Sequence, residues 1–460
     1  MTSTARFTSY LFLVLGLLSD PVSAAQSLSS TSNANQSLKD REEKVVEELQ
    51  RRVSLYPYNQ SIRLQLATVY ERLGERDLNV SRYGEAAEYY RLAHELFPDD
   101  HTYGYKRGVA LYLDKNYEAA RAEFEQAGSS AGTLWYLGSI SYATGDLTGA
   151  LDKWRKALDL EPDNKTIQAL IKKAERELPV ESKMDKGYSS MFDLTFDGEL
   201  PPGLSAEVLD ALENAYNSVG ADLGLFPNTR IPVLLYTQGD YSRVTATPDW
   251  SGGLYDGKIR LPVAGVTKLT DELRSAIRHE YTHVVIGEIT HGNIPTWLNE
   301  GLAEVEGRKE ISLPRVELNQ AAKKGRLLSM KTLSGSFHSM GTGEAFLAYE
   351  QSYSMADFMV TTYGWYAIQS ILTSLGENAN IETAVSKALA NYSLDLPTVL
   401  KEWRESLTKT EKLSASATDK QGGVEVNKQS TVEVGKQAAP EADKQVVPEA
   451  SKEPASESKE

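Results

Sequence analysis

The sequence predicts a multidomain protein in which an all-α repeat solenoid is followed by an α+β domain. Three observations carry this prediction. The chain has 460 residues, a length typical of two or three domains. Apolar residues in its first half recur at helical spacing, in units of about 34 residues. From residue 191 onward, short strand-like segments precede a long helical region, as in α+β domains.

Composition and charge exclude several classes of function. Hydrophobic residues make up 41% and charged residues 25% of the chain, the balance of a globular protein. The net charge is -15 at pH 7, which argues against a nucleic-acid partner because phosphates require a basic face. The sequence contains no cysteine. Disulfides and thiolate sites are therefore excluded, and any metal must be held by histidines and carboxylates.

Residues 1–25 have the features of a secretory signal peptide. Arg6 is followed by a nine-residue apolar core over residues 10–18 and by small residues up to Ala25. The alternative is a membrane anchor, but nine residues are too few to cross about 30 Å of hydrocarbon. The sequence therefore predicts an exported protein, periplasmic or secreted, with no transmembrane segment after signal removal. A disordered linker is predicted for residues 26–40 because Ser, Asn and Gln dominate them.

A repeated pattern extends over residues 41–178. An alanine, an aromatic residue and a second alanine recur at the same relative positions: Ala86, Tyr90 and Ala93, then Ala120, Phe124 and Ala127, then Ala150, Trp154 and Ala157. The pattern resembles the tetratricopeptide repeat, a helix–turn–helix unit in which small residues let paired helices approach. The resemblance implies either a groove that binds a peptide or a protein partner, or a rigid spacer. Both interpretations stay open.

A second domain is predicted over residues 191–411, after a linker at residues 179–190. Apolar residues alternate or run continuously in two segments that predict strands, residues 192–196 and 231–237. A third segment predicts a hairpin that turns at Asp256 and Gly257.

The chain from Thr270 onward is predicted to be helical. The last segment, residues 412–460, has no aromatic residue and repeats a lysine every eight residues. It is predicted to be a disordered tail.

The motif that carries chemistry lies at residues 278–283, RHEYTH. His279 and His283 are four residues apart, so a helix places both imidazoles on one face, where both can bind one metal ion. Glu280 lies about 100° further around the helix, where it can take a proton from a metal-bound water. The alternative interpretation is a helix with two incidental surface histidines.

The following helix, with the sequence TWLNEGLAE from Thr296, places Glu300 and Glu304 on one face. Together the two motifs resemble the gluzincin metallopeptidases, and most closely the bacterial peptidase MA-like domains that often follow tetratricopeptide repeats. The resemblance implies one Zn²⁺ per chain, bound by His279, His283 and Glu300. It also implies that Glu280 is the general base and that Glu304 orients a ligand histidine. The predicted second domain is therefore an α+β domain of the gluzincin zinc-peptidase type.

Three further residues are weaker candidates. Tyr349 matches the catalytic tyrosine of aminopeptidase N-like gluzincins, although Gln351 and Ser352 replace the Lys-Gly that follows it there. Tyr353, one turn on, is its rival, and both could instead be core aromatic residues. His291 lies in the loop between the two zinc helices, where it is either at the rim of the site or a surface residue.

The region before the zinc helix is the candidate substrate-binding edge. In gluzincins an edge strand there pairs with the substrate, and Gly252 and Gly253 would let a substrate backbone approach closely. An ordinary core strand is the alternative. The Gly-Ala-Met-Glu-Asn segment with which aminopeptidase N-like enzymes hold a free amine is absent from the sequence. This absence favours an endopeptidase or a specialised peptidase.

The sequence thus predicts an exported zinc-dependent peptidase that hydrolyses peptide bonds with a zinc-bound water and a glutamate general base. The repeats would recruit a peptide or protein substrate, or a partner. One alternative is an envelope scaffold, a protein-binding module whose zinc domain is non-catalytic or narrowly specific. Another is a zinc hydrolase that acts on a non-peptide amide, such as a cell-wall fragment.

Overall fold

A computed structural model describes most of the chain between residues 41 and 407. The described residues are 41–198, 200–201, 203–245, 253–263, 266–337 and 340–407. The predicted signal peptide, the predicted linker at residues 26–40 and the predicted tail lie outside the described residues, as do Gly252 and residues 408–411.

Consecutive helices that pack against one another form the N-terminal part of the described chain. They are α1 (41–55), α2 (Gln60–Asn79), α3 (Tyr83–Leu96), α4 (His101–Leu113), α5 (Tyr117–Gln126), α6 (Ala131–Ala143), α7 (Leu147–Leu160) and α8 (Lys165–Glu181). We call α1 to α8 the array. Most of these helices begin at a polar residue whose side chain accepts a backbone N–H of the first turn, which stabilises each start by about 1 kcal/mol.

The same contact holds three successive helix pairs of the array together. In each pair a glycine of the first helix lies against an aromatic ring of the second, so closely that a side chain would not fit. The pairs are Gly74 with Tyr90, Gly108 with Phe124, and Gly138 with Trp154. The three aromatic residues are at most 1% exposed. The repeated sequence positions are therefore the ones that fix the distance between paired helices.

Most of the segment predicted to be a linker, residues 179–190, is helix or strand instead. Helix α8 continues through Pro179 to Glu181, and strand β1 (Asp185–Tyr188) follows. The composition of the segment did not predict the end of α8 or strand β1, because both depend on long-range contacts. The side chain of Glu181 is held by Arg260, and β1 pairs along its whole length with the next strand. The ordered α+β part therefore begins at Asp185 rather than at residue 191.

A five-stranded mixed sheet follows the array. Its strands are β1, β2 (Phe192–Phe196), β3 (Ile231–Tyr236), β4 (Leu254–Tyr255) and β5 (Ile259–Pro262), in the order β1-β2-β3-β5-β4. Strands β2, β3 and β5 run parallel, while β1 and β4 are antiparallel edge strands. The predicted strands and the predicted hairpin are all present, and Gly257 has the positive φ of 97° that its turn requires.

The remaining helices complete the α+β domain, which we define as residues 185–407. They are α9 (Leu204–Leu223), α10 (Gln238–Thr245), α11 (Asp271–Thr290), α12 (Thr296–Gly307), α13 (Val316–Lys323), α14 (Met330–Leu333), α15 (Thr342–Gly376), α16 (Ile381–Ala388) and α17 (396–407). Helix α11 lies at the centre, against α9, α12, α15 and the β4–β5 hairpin. Through Glu405, the array and the α+β domain belong to one compact unit.

Among the helices in the described ranges, none combines the length and the apolar character needed to cross a bilayer.

Replacing Gly138 with alanine should destabilise the array. A Cβ at this position would lie 2.5 Å from Cδ1 of Trp154, and an extra methyl group in a packed core typically costs about 1–3 kcal/mol. We expect the free energy of unfolding, measured by urea denaturation, to fall by a similar amount.

Gly84→Ala is the matched control, because it makes the same change in helix α3. The nearest atom to the added Cβ there is 3.9 Å away, on Asp114. This variant should be neutral or slightly more stable, since alanine favours a helix over glycine. An equal loss of stability in both variants would contradict the close helix approach.

Candidate metal centre

Helix α11 carries the HExxH motif and is fixed along one face. It begins at Thr270, whose side chain accepts the backbone N–H of Leu273. Apolar residues along the helix are buried in the domain, among them Ile277, Val284 and Val285. The opposite face carries His279 and His283, which are 12–16% exposed. Solvent therefore reaches both imidazoles although the helix itself is central.

Helix α12 brings the third candidate ligand to the same place. Its first residue is Thr296, and the residue before it, Pro295, is the N-cap. Threonine is a common N-cap residue, but Thr296 does not have that position here. Glu300 faces α11. A buried ion pair joins the two helices, with Nη2 of Arg278 2.6 Å from Oε2 of Glu306. Nε of Arg278 also donates to the carbonyl oxygen of Glu306.

Three side chains converge with the geometry of a metal site. Nε2 of His279 and Nε2 of His283 are 3.2 Å apart. Oε2 of Glu300 lies 3.6 Å from each of them. Tetrahedral zinc with bonds of about 2.0–2.1 Å places its ligand atoms about 3.3–3.4 Å apart. The three groups therefore fit a common metal ion and leave its fourth position open.

The Nδ1 atom of each histidine, on the side away from the metal position, has a partner on α12. Nδ1 of His283 lies 3.1 Å from Oδ1 of Asn299, and Nδ1 of His279 lies 3.5 Å from Oε1 of Glu304. These contacts leave each Nε2 directed at the metal position, as metal-binding histidines require. Nε of Arg308 donates to the other oxygen of Glu304 at 2.8 Å. Glu304 was predicted from its spacing, whereas Asn299 of α12 and Arg308, the C-cap residue of α12, were not.

The electrostatics of the cluster favour metal binding. Burial lowers the pKa of His283. Burial also acts to lower the pKa of His279, but Glu300 and the other nearby carboxylates outweigh it and raise this pKa to about 9. His279 would have to release this proton to bind a metal ion, whose charge would take the place of the imidazolium charge.

Glu280 is buried beside the cluster, with 5% of its surface exposed. Burial raises the pKa of its carboxyl group to about 7, and the charge of Glu300 adds to the effect. Gly253, immediately before β4, packs against it, and a Cβ there would lie 2.6 Å from Oε1 of Glu280. The close approach that this glycine permits is thus to the side chain of Glu280.

The two candidate tyrosines lie in different surroundings. Burial, followed by the charges of Glu300 and Glu280, raises the pKa of Tyr349 above its ordinary value. Its phenol is therefore protonated and within the field of the cluster. The ring of Tyr353 instead lies 4.1 Å from the guanidinium carbon of Arg308. Tyr353 thus contacts Arg308, which donates to Glu304, the partner of His279.

His291 lies away from the cluster. It ends α11 in a left-handed conformation, with φ of 50°. It is two turns beyond His283, a distance of about 12 Å along the helix. Its ring packs edge-on against Tyr83 of the array, with centroids 5.1 Å apart. The structure therefore places His291 at the contact between the array and the α+β domain and not at the rim of the site.

Comparison with known proteins identifies the region that contains these groups. Residues 213–409 match the family model of the peptidase MA superfamily. No curated protein matches the chain. The matched segment contains α11, α12 and α15, which carry the three candidate metal ligands, Glu280, Glu304 and both candidate tyrosines. Residues 213–409 are thus similar to the peptidase MA superfamily, and this similarity supports a metallopeptidase-like domain.

Asn299→Ala should weaken metal binding without unfolding the domain. Removing a hydrogen-bond partner behind a ligand histidine typically lowers metal affinity about 10–100-fold. We expect this loss for Zn²⁺ in competition with a chromogenic chelator. Asn319→Ala is the control, because Asn319 is exposed on α13 and the change should leave the affinity unchanged. Equal affinities in both variants would show that Asn299 does not orient His283.

Proposed function

We propose that the α+β domain is a zinc-dependent peptidase of the gluzincin type that hydrolyses peptide bonds. The observation that carries the proposal is the convergence of His279, His283 and Glu300 on one open position beside a buried carboxylate. The match to the peptidase MA superfamily over the same segment supports it.

Zinc is the metal that these ligands favour. Two imidazoles and one carboxylate form the typical ligand set of catalytic zinc, which keeps one position free. The separations of 3.2–3.6 Å between the ligand atoms suit the small tetrahedral ion. Bound there, Zn²⁺ supplies Lewis-acid activation of water and of a peptide carbonyl group.

Glu280 supplies the proton transfer. A base that works near neutral pH needs a pKa near 7, and burial raises the pKa of Glu280 to about that value. The carboxylate can accept a proton from the attacking water and return it to the leaving amine. Gly253 packs directly against this carboxylate, so closely that a side chain at residue 253 would not fit.

Tyr349 is the proposed donor to the oxyanion that develops on the substrate carbonyl. Its elevated pKa keeps the phenolic proton in place at neutral pH. A preorganised donor of this kind typically contributes a factor of about 10²–10³ to kcat. Its edge-on contact with the ring of Phe337, at 5.3 Å between centroids, holds it in place.

We propose further that the array is of the tetratricopeptide type and that the protein is exported to the periplasm or secreted. The three glycine–aromatic pairs support the first proposal, and the apolar core and small residues of residues 1–25 support the second. The proposed substrate is a peptide or protein. Recruitment of that substrate or of a partner by the repeats stays a prediction from the repeat pattern.

Glu280→Gln should keep the metal and abolish turnover. The amide preserves the shape of the side chain but cannot accept the proton. We expect digestion of a peptide library, followed by mass spectrometry, to give cleavage products with the zinc-loaded wild type and at least about 10²-fold fewer with the variant. Glu272→Gln is the control, because Glu272 is exposed on the same helix, and it should cleave at the wild-type rate.

The same digestion separates the alternatives. Turnover that persists in Glu280→Gln would refute the proposed base. Stoichiometric zinc without any peptide cleavage in the wild type would favour the scaffold with a non-catalytic zinc domain. Release of products from cell-wall amides alone would favour the non-peptide hydrolase.

Tyr349→Phe and Tyr353→Phe should differ. Loss of the Tyr349 hydroxyl should lower kcat about 10²–10³-fold with little change in KM. Tyr353→Phe keeps the aromatic ring and therefore its contact with the guanidinium of Arg308. The kcat of this variant should stay within about threefold of the wild-type value. The reverse order of the two effects would transfer the donor role to Tyr353.

A further inference from the structure

A cluster of buried charges joins the last helix of the array to the β4–β5 hairpin. Arg260 of β5 and Glu177 of α8 are both fully buried, and both are ionisable. Around them lie the other members of what we call the clamp, Lys173, Glu181, Asp256 and Lys258. None of these residues belongs to the metal cluster.

Arg260 is the centre of the clamp, and all five of its N–H groups have partners. Its guanidinium donates to Glu177 at 2.9 Å and to Glu181 at 2.7 Å, so it is held by two carboxylates of α8. Its Nε donates to Asp256 at 3.1 Å, within the hairpin. The hydroxyl groups of Tyr142 and Tyr236 accept the remaining two bonds.

Two lysines balance the remaining charge. Nζ of Lys173, on α8, lies 2.6 Å from Asp256. Nζ of Lys258 lies 3.5 Å from Glu181 and 4.2 Å above the ring of Tyr142. The clamp thus contains three carboxylates and three cations, so its charges cancel. A buried charge whose partner is lost is strongly unfavourable, and the clamp therefore favours a single position of the hairpin against α8.

The hairpin that the clamp holds is also the element that covers the general base. Asp256 lies in the hairpin turn, three residues after Gly253, which packs on the carboxylate of Glu280. The metal ligands, by contrast, come from α11 and α12, which the Arg278–Glu306 pair joins directly. The contacts that join the hairpin to α8 are thus different from the ion pair that joins the two helices of the metal ligands.

We infer that Lys173, Glu177 and Glu181 of the array are positioning residues for catalysis. They hold the hairpin through Asp256 and Arg260, and the hairpin in turn holds the carboxylate of Glu280 at the metal cluster. The inference rests on the proposed peptidase function. It makes the end of the array a part of the active-site structure, whatever the rest of the array binds.

Lys173→Met is the sharpest test, since its side chain is 29% exposed and Asp256 keeps its bond with Arg260. The change frees one side of the hairpin without leaving a fully buried charge unpaired. We expect kcat to fall about tenfold, because small displacements of a catalytic group are costly. The Zn²⁺ affinity should stay at the wild-type value. Lys173→Arg, which keeps the charge, should restore most of the rate.

Lys172→Met is the matched control, because Lys172 is the exposed neighbour on α8. It should match the wild type in kcat, Zn²⁺ affinity and Tm. A wild-type kcat in Lys173→Met would overturn the inference. So would a loss of Zn²⁺ affinity that parallels the loss of rate, because the change would then act on the whole domain.

Hydrogen exchange of the full-length protein tests the clamp without any substrate. Amides of residues 254–261 should exchange about tenfold faster in Lys173→Met than in Lys172→Met, while those of α11 and α12 stay unchanged. If the wild type cleaves no peptide, the proposed function fails and this measurement still decides whether α8 holds the hairpin. Unchanged exchange in the hairpin would overturn the inference whether or not the protein cleaves peptides.

Discussion

The close packing of three helices is the constraint on which the rest of the site depends. Ligand atoms on α11 and α12 can converge within 3.6 Å only if the helices approach closely and stay in register. Glycines provide the approach. A Cβ at Gly301 would lie 2.5 Å from the backbone oxygen of Ser352 on α15, and one at Gly307 would lie 3.1 Å from that of Ser275 on α11. The buried Arg278–Glu306 pair then fixes the register of α11 and α12.

The residues proposed for metal binding and the residue proposed for proton transfer lie in different environments. The ligand side chains are partly exposed, whereas Glu280, adjacent to His279 in sequence, is buried. One turn of helix therefore presents a solvent-accessible metal position and a carboxyl group whose pKa is raised to about 7. The layer behind, formed by Asn299, Glu304 and Arg308, orients the imidazoles. This division of roles is what a hydrolytic metal site requires.

The array and the α+β domain are joined by buried side-chain contacts and not only by the chain that connects them. The clamp is buried between them, Lys115 of the array pairs with Glu288 of α11, and Tyr83 packs on His291. Contacts of this kind reach two elements next to the candidate metal centre, the hairpin that packs on Glu280 and the end of α11. A role for the array in shaping the site therefore does not depend on whether its remaining surface recruits a substrate or a partner.

Features that depend on local spacing can be predicted from the sequence. The i, i+4 histidines, Glu280 beside them, the carboxylates of α12 and the repeated alanine and aromatic positions follow from helix periodicity, and the hairpin turn follows from its Asp-Gly pair. Tertiary structure decided the rest, because it joins residues that are far apart in the chain. The order of residues 179–190, the position of His291, the difference between Tyr349 and Tyr353 and the pairing of Lys173 with Asp256 each depend on long-range contacts. Such contacts leave no periodic pattern in a single sequence, since the side chains that meet are set by how the elements pack.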